Sequence, residues 1–234
     1  MKKRLISLLL VLVLLIGIAP LALGWDHPFT DLAEITSEAL EAQCPDAWAA
    51  VFISEVYREG IMRGTSPTTF SPSDGFSREM VVTTLFRMYH DRIANASDSR
   101  ATPFEDVSVD AWSAPYISWA FREGIVTGVS PTRFGRGTPI SFQDFAVMLY
   151  RFANFSGVGA SAPDYADLDS IPYGYRTGSW ARDAFTWAMW RGIMSSELIV
   201  DRLDPTANVS RAQSAGILFH YLEYVRHQEI EEAQ

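Results

Sequence analysis

Two apolar stripes at helical spacing, separated by a turn-rich stretch, organise the middle of this chain. Trp112, Tyr116, Trp119 and Ala120 fall on one face and predict a helix from Asp110 to Glu123. Gly124 stands where that helix should stop, because glycine takes the left-handed position after a helix without steric cost. Ile125 and Val126 then dip back toward the core. Gly128-Val-Ser-Pro131 reads as a turn, and Phe134 plugs the space beneath it. A second stripe of Phe145, Met148, Leu149 and Phe152 predicts a helix from Ser141 to about Phe152.

The same pattern is written more than once. Trp48 recurs as Trp112, Gly60 as Gly124, Phe70 as Phe134, Ser77 as Ser141 and Arg87 as Arg151, always 64 residues on. A more worn copy places Trp180, Gly192, Leu203, Ser210 and His220 at the same points, with one residue inserted before Leu203. The second stripe returns as Val81, Thr84, Leu85 and Met88, and as Ile217, Leu218 and Tyr221. Each copy opens on an aromatic-acidic phrase: Phe29-Thr-Asp-Leu32, Phe104-Glu-Asp-Val107 and Tyr165-Ala-Asp-Leu168. The distance from phrase to Trp varies, as in a surface loop of tolerant length. A copy of about 45–60 residues is marginal alone, so three copies sharing buried faces should form one cooperative body. The polar stretch 95–103 and the small-residue stretch 154–163 read as connections between copies, and the acidic tail from Glu229 is expected to fray.

The first residues change the picture of where the chain works. Met1-Lys-Lys-Arg4, an apolar run from Leu5 to Ile18 and the small-residue exit Ala22-Leu-Gly24 read as a secretory signal, with cleavage expected after Gly24. The alternative is an uncleaved anchor, but the apolar run is shorter than the roughly 20 residues a span needs, and Pro20 interrupts it. No later segment is apolar enough to span a bilayer. Removing residues 1–24 takes away Lys2, Lys3 and Arg4, so the formal charge moves from −9 to −12. A nucleic-acid partner calls for a basic face, and this chain opposes it. Cys44 is the only cysteine, which excludes an internal disulfide and a multi-cysteine zinc site.

The second predicted helices begin Ser77-Arg78-Glu79-Met80, Ser141-Phe142-Gln143-Asp144 and Ser210-Arg211-Ala212-Gln213. Serine at the N-cap accepts from a free backbone N–H. Gln213 three positions on can close a capping box, Asp144 approximates it, and Met80 cannot. Arginine at the next position is disfavoured by a few tenths of a kcal/mol, since a helix N-terminus is partly positive. Arg78 and Arg211 accept that cost. One reading is a guanidinium fork that takes a carboxylate or phosphate beside free N–H groups. The other is an exposed arginine paired with Glu79 or with an acid of the next repeat.

The ordered set of motifs resembles three tandem S-layer homology domains. It comprises Phe104-Glu-Asp-Val107, Trp112, Gly124-Ile-Val-Thr-Gly128, Phe70-Ser-Pro72 and Ser210-Arg-Ala-Gln213, spread over residues 29–222. The resemblance implies a mainly α, pseudo-threefold bundle of three helix-loop-helix units. It divides the chain into a signal at 1–24, units at 25–95, 96–155 and 156–225, and an acidic tail at 226–234. It implies attachment to the bacterial cell wall through secondary cell-wall polysaccharide, bound in grooves between units and often carrying pyruvate ketals. Arg78 and Arg211 would take the carboxylate, beside helices capped by Ser77, Ser141 and Ser210. Trp48, Trp112 and Trp180 would offer a face to the sugar, or else simply pack in the core. Gly60, Gly64, Gly124, Gly128 and Gly192 shape the loops. Phe142 replaces the arginine in the second copy and Ser196 the second glycine in the third, which implies one or two working grooves.

Catalytic motifs are absent from this pattern. His27, His90, His220 and His227 are scattered, without a metal-binding phrase. No Gly-x-Ser-x-Gly elbow occurs. An acid pair such as Asp106 with Glu123 is the nearest approach to glycoside hydrolysis. The sequence therefore leads to the expectation of a secreted envelope protein that is not an enzyme, needs no cofactor or metal, and binds wall glycan. The alternative is a structural module docking other envelope proteins.

Overall fold

The chain was analysed as a computed structural model that describes residues 27–32, 45–90, 99–164, 166–194 and 203–232. The signal at 1–24, Cys44, Tyr165 and Ser196 lie outside these residues. Among the described residues six α-helices span α1 Pro45–Arg58, α2 Arg78–His90, α3 Ala114–Arg122, α4 Phe142–Phe155, α5 Arg182–Trp190 and α6 Arg211–Glu232. The mainly α expectation is met, with no strand among the described residues.

Local sequence accounts for most helix ends. The predicted start of α3 at Asp110 is four residues early, because Pro115 sits in the first turn, where its missing N–H costs nothing. The residues before it make tight turns instead: Ala111 N donates to Ser108 O at 2.9 Å and Ala114 N to Ala111 O at 3.0 Å. Helices α1, α3 and α5 end alike. Gly60, Gly124 and Gly192 have φ of 71°, 70° and 75°. The following isoleucine and the next residue both donate back to one carbonyl, that of Val56, Ala120 or Ala188, at 2.8–3.1 Å. This closes the helix end and turns Ile61, Ile125 and Ile193 into the core. Helix α6 runs on through Glu232.

The helix pairs α1–α2, α3–α4 and α5–α6, called units 1, 2 and 3 below, interlock. The closest helix packing joins neighbouring units: α2 with α3, α4 with α5, and α6 back onto α1. The core at each seam is aromatic, with Phe86 edge-on to Trp119, Tyr150 edge-on to Trp187, and Phe52 against Phe219. Such pairs contribute about 0.5–1.5 kcal/mol each beyond their burial.

On the axis the ring closes through backbone. Phe76, Ile140 and Val209 occupy equivalent places just before α2, α4 and α6. Ile140 N donates to Phe76 O at 2.8 Å, Val209 N to Ile140 O at 2.9 Å, and Phe76 N to Val209 O at 2.8 Å. All three side chains are buried. A second ring surrounds the first: Arg78 N to Thr138 O, Phe142 N to Ala207 O and Arg211 N to Asp74 O. Each unit thus supplies the hydrogen-bond partners its neighbour lacks, and no unit satisfies its own pre-helix backbone alone.

Candidate functional site

The seams are where the sequence-selected side chains meet. Arg78 leaves the start of α2 and enters unit 2, where Nε donates to Phe134 O at 3.0 Å and Nη2 to Thr127 O at 3.1 Å. Arg211 leaves the start of α6 and enters unit 1, where Nε donates to Phe70 O and Nη2 to Arg63 O, both at 2.8 Å. Phe70 and Phe134 are equivalent, as are Arg63 and Thr127. The two arginines make one stitch in two places, each with its guanidinium over the ring it reaches, at 5.2 Å for Phe134 and 4.5 Å for Phe70.

Both sequence readings took the arginines as accessible, and the structure buries them, while Arg78 keeps a pairing with an acid of the next repeat, Asp144. Arg78 is 8% and Arg211 5% exposed, so neither is an open fork at the surface. Burial holds both guanidinium pKa values below their ordinary range, opposed by Asp144 at Arg78 and by Asp74 and Asp31 at Arg211. What offsets the helix N-terminus is a pair of carbonyl dipoles from the next unit. The ion pair of Arg78 Nη1 with Asp144 is looser, at 3.6 Å. Arg211 Nη1 reaches only the Met80 sulfur among the described residues, at 3.9 Å. At the third seam Phe142 is buried and apolar, so the stitch is missing there.

The aromatic-acidic phrase, read from sequence only as an opening, is a clamp on the loop beneath it. Asp31 accepts from Phe70 N at 2.8 Å and Ser71 N at 2.7 Å. Asp106 accepts from Phe134 N and Gly135 N at 2.8 Å and from Arg136 N at 3.1 Å. Burial alone would raise these carboxyls, but the backbone donors outweigh it and hold both below the usual range. Each clamped Phe carries on its carbonyl the arginine of a neighbouring unit. Asp106 is therefore engaged structurally, and Glu123 meets Arg122 at 2.9 Å. Glu79 was missed as well: both its oxygens accept from Gly137 N across the seam, at 3.1 and 2.9 Å.

The glycines split into two kinds. Gly60, Gly124 and Gly192 have open space around a would-be Cβ and are needed for their positive φ. Gly64 and Gly128 are needed for room. A Cβ on Gly64 would lie 2.5 Å from Phe29 Cε1 and 2.6 Å from Thr69 O, and one on Gly128 2.7 Å from Phe104 Cε1, with other carbonyls closer still.

Of the three serines, two cap as expected. Ser210 and Gln213 form a reciprocal box, at 2.8 and 3.1 Å. Ser141 Oγ accepts from Asp144 N at 3.2 Å. Ser77 does not cap: its hydroxyl is buried without a hydrogen-bond partner among the described residues, and the first turn closes through Met80 N to Ser77 O at 3.0 Å. Core packing of the tryptophans is corrected too. Trp112 and Trp180 precede their helices and stand 51% and 59% exposed, while Trp119 and Trp187, seven residues on, fill the core. Trp48 lies in α1, with its side chain outside the described residues.

An open cleft of about 560 Å³ lies on unit 1, walled by Pro28, Phe29, Tyr57 and Pro67, with Arg58 and Arg63 among its lining. No group of histidine, cysteine and acidic residues suited to a metal ion occurs among the described residues. Nor is any helix there long and apolar enough to cross a membrane.

Residues 43–79 and 103–146 match the S-layer homology domain. The matched segments are two, in units 1 and 2, where the resemblance implies three. Over 228 residues the chain is 26% identical to an endoglucanase of Bacillus sp. (strain KSM-635), covering 92% of this chain and 22% of that protein. Over 174 residues it is 23% identical to a cell surface protein of Thermoanaerobacter kivui, covering 74% of this chain and 20% of that protein. The chain spans about a fifth of the length of these curated relatives. The expectation that the protein is not an enzyme is thereby corrected: a relative matching nearly the whole chain is an endoglucanase, so missing catalytic motifs do not set this chain apart from enzymes.

Proposed function

We propose that this chain is a cell-wall anchoring module of three S-layer homology units, at residues 25–95, 96–155 and 156–225, following an export signal at 1–24. It holds its protein at the bacterial cell surface by binding an acidic, pyruvate-type secondary wall polysaccharide along the seams. The two matched segments and the likeness to a cell surface protein support this reading. The third unit is counted because it keeps the Gly192 turn, the Ser210–Gln213 box and its place in the Phe76–Ile140–Val209 ring.

The observation that carries the proposal is the exposure of Trp112 and Trp180 at equivalent places, each just ahead of a first helix. Trp112 packs in part on Tyr116 and Trp180 over Gly178, and the face that each leaves in solvent suits the apolar face of a sugar ring. Arg78 and Arg211 each tie one seam between units. Their loosely engaged Nη1 edges are where a glycan carboxylate would be met, in exchange for Asp144 or the Met80 sulfur.

Sedimentation with purified wall sacculi tests this. The native protein should pellet with walls and stay soluble with walls stripped of their secondary polymer. Trp112→Ala/Trp180→Ala should stay soluble with both while keeping its thermal midpoint. Equal pelleting with stripped walls would sink the proposal, and failure to pellet at low salt would favour docking to other envelope proteins.

A further inference from the structure

The seam between unit 3 and unit 1 differs in kind from the other two. Units 1 and 2, and units 2 and 3, follow one another along the chain. Units 3 and 1 do not, and contacts hold them together: α6 packed on α1, and the Arg211 tie. The packing is close. A Cβ on Gly216 would lie 3.2 Å from Phe52 Cδ2, so the α6 backbone rests on the Phe52 ring.

His220 stands one turn further along this contact. Its ring meets Phe52 of α1 edge-on, with centroids 5.3 Å apart, and Phe219 at 5.4 Å. The residue is half-buried, but its Nε2 is shut off from solvent and has no hydrogen-bond partner among the described residues. The same place in the other two units holds Arg87 and Arg151, which stay charged at every working pH. Arg87 has an acceptor there, Ile61 O at 3.0 Å. In unit 3 the position carries a titratable ring instead.

The acids near His220 among the described residues are already paired. On α6 Glu223, three residues on, meets Arg226 at 2.6 Å. Across the seam Glu55, three residues from Phe52, meets Arg58 at 2.5 Å, and Glu59 meets Arg58 at 3.3 Å and Arg226 at 3.4 Å. Helices α4 and α5 reach α6 through uncharged rings, Phe152 and Trp187 on Tyr221. A proton on Nε2 therefore puts a charged N–H into the Phe52 contact with no acceptor. That cost is relieved when α6 lifts from α1 and water enters.

We propose that His220 is an acid-operated latch, whose protonation opens the ring between units 3 and 1 and releases the protein from the wall. Opening draws Arg211 away from Phe70 O and Arg63 O, so the whole seam is undone. Release rests on the wall-anchoring reading above. Opening of the ring does not.

Amide hydrogen exchange on the whole protein without walls tests the latch, with rates corrected for their intrinsic pH dependence. An open ring takes its proton near 6.5 and the closed one at about 4, so the opening constant should rise about thirtyfold between about pH 7.5 and about pH 5. Exchange in the facing turns of α1 and α6 should quicken by that factor, while the α2–α3 and α4–α5 contacts keep their protection. His220→Phe should abolish the response, and His220→Leu repeats the test should the larger ring prevent folding. An equal rise at all three seams, or the same acid response in the variant, would overturn the latch. Native protein pelleted with sacculi should leave them at the lower pH and the variant should stay, and retention of both would overturn the release. Failure of the native protein to pellet at either pH would sink the anchoring reading, and the exchange result would still decide the latch.

Discussion

Arg211 Nε donates to the carbonyl oxygen of Phe70 at 2.8 Å, across 141 residues of chain, while its guanidinium lies 4.5 Å from the centroid of the same residue's ring. One side chain thereby ties the last unit to the first. Arg78 does the same between units 1 and 2. The contact makes the arginine at the helix start intelligible. A cation there is locally unfavourable, and the two carbonyls of the neighbouring unit that it meets offset that cost.

Arg211→Leu should therefore lower stability by about 2–4 kcal/mol, because it strands two buried carbonyls. Arg211→Lys should recover little, since one ammonium cannot reproduce the two-armed geometry. Chemical denaturation checks both. A loss below about 0.5 kcal/mol, the size of an ordinary surface change, would mean the stitch is not structural.

The two glycine classes should respond differently to alanine. Gly60→Ala meets open space but a φ of 71°, so a loss of about 1 kcal/mol is expected. Gly64→Ala places a methyl against Phe29 and two backbone carbonyls and should cost upwards of about 3 kcal/mol or prevent folding. Thermal midpoints of the pair decide it, and equal losses would contradict the geometry.

Asp106→Ala should destabilise by about 1–3 kcal/mol by freeing three loop N–H groups. Because the folded carboxyls of Asp31 and Asp106 sit below their unfolded values, their contribution is complete above the unfolded carboxylate pKa. It is lost as pH falls through the lower folded pKa. Stability measured below about pH 4 should fall more steeply in the native protein than in the Asp31→Asn/Asp106→Asn variant.

His220 acts in a higher window. It lies against Phe52 and Phe219, its Nε2 has no partner among the described residues, and burial lowers its pKa to about 4, with Glu223 opposing. The unfolded chain takes up this proton first, so stability should be full above about pH 6.5 and decline toward pH 4, by an amount on the order of 2–3 kcal/mol. In His220→Phe that slope should flatten. An unchanged slope would place the titrating group elsewhere.

Repetition made the architecture readable in advance. The 64-residue register, the glycines at 60, 124 and 192 and the apolar stripes located helices α1 to α6, because helix periodicity and the left-handed turn are local matters. Trp112 shows where local reading stops. Its spacing suits the buried stripe of α3, yet Pro115 starts that helix two residues later, leaving the ring in solvent while Trp119 takes the core place.

By itself the sequence determined the unit as a written pattern and the residue types at the seams. Only the tertiary structure decided what those residues do. Arg78 and Arg211 find their acceptors, Asp31 and Asp106 their donors, and Phe76, Ile140 and Val209 one another only once the three units close into a ring. Periodicity records which face of an element is apolar. It carries no information about which distant carbonyl lies within 3 Å of a given guanidinium, and that distance separates an open anion fork from an internal tie.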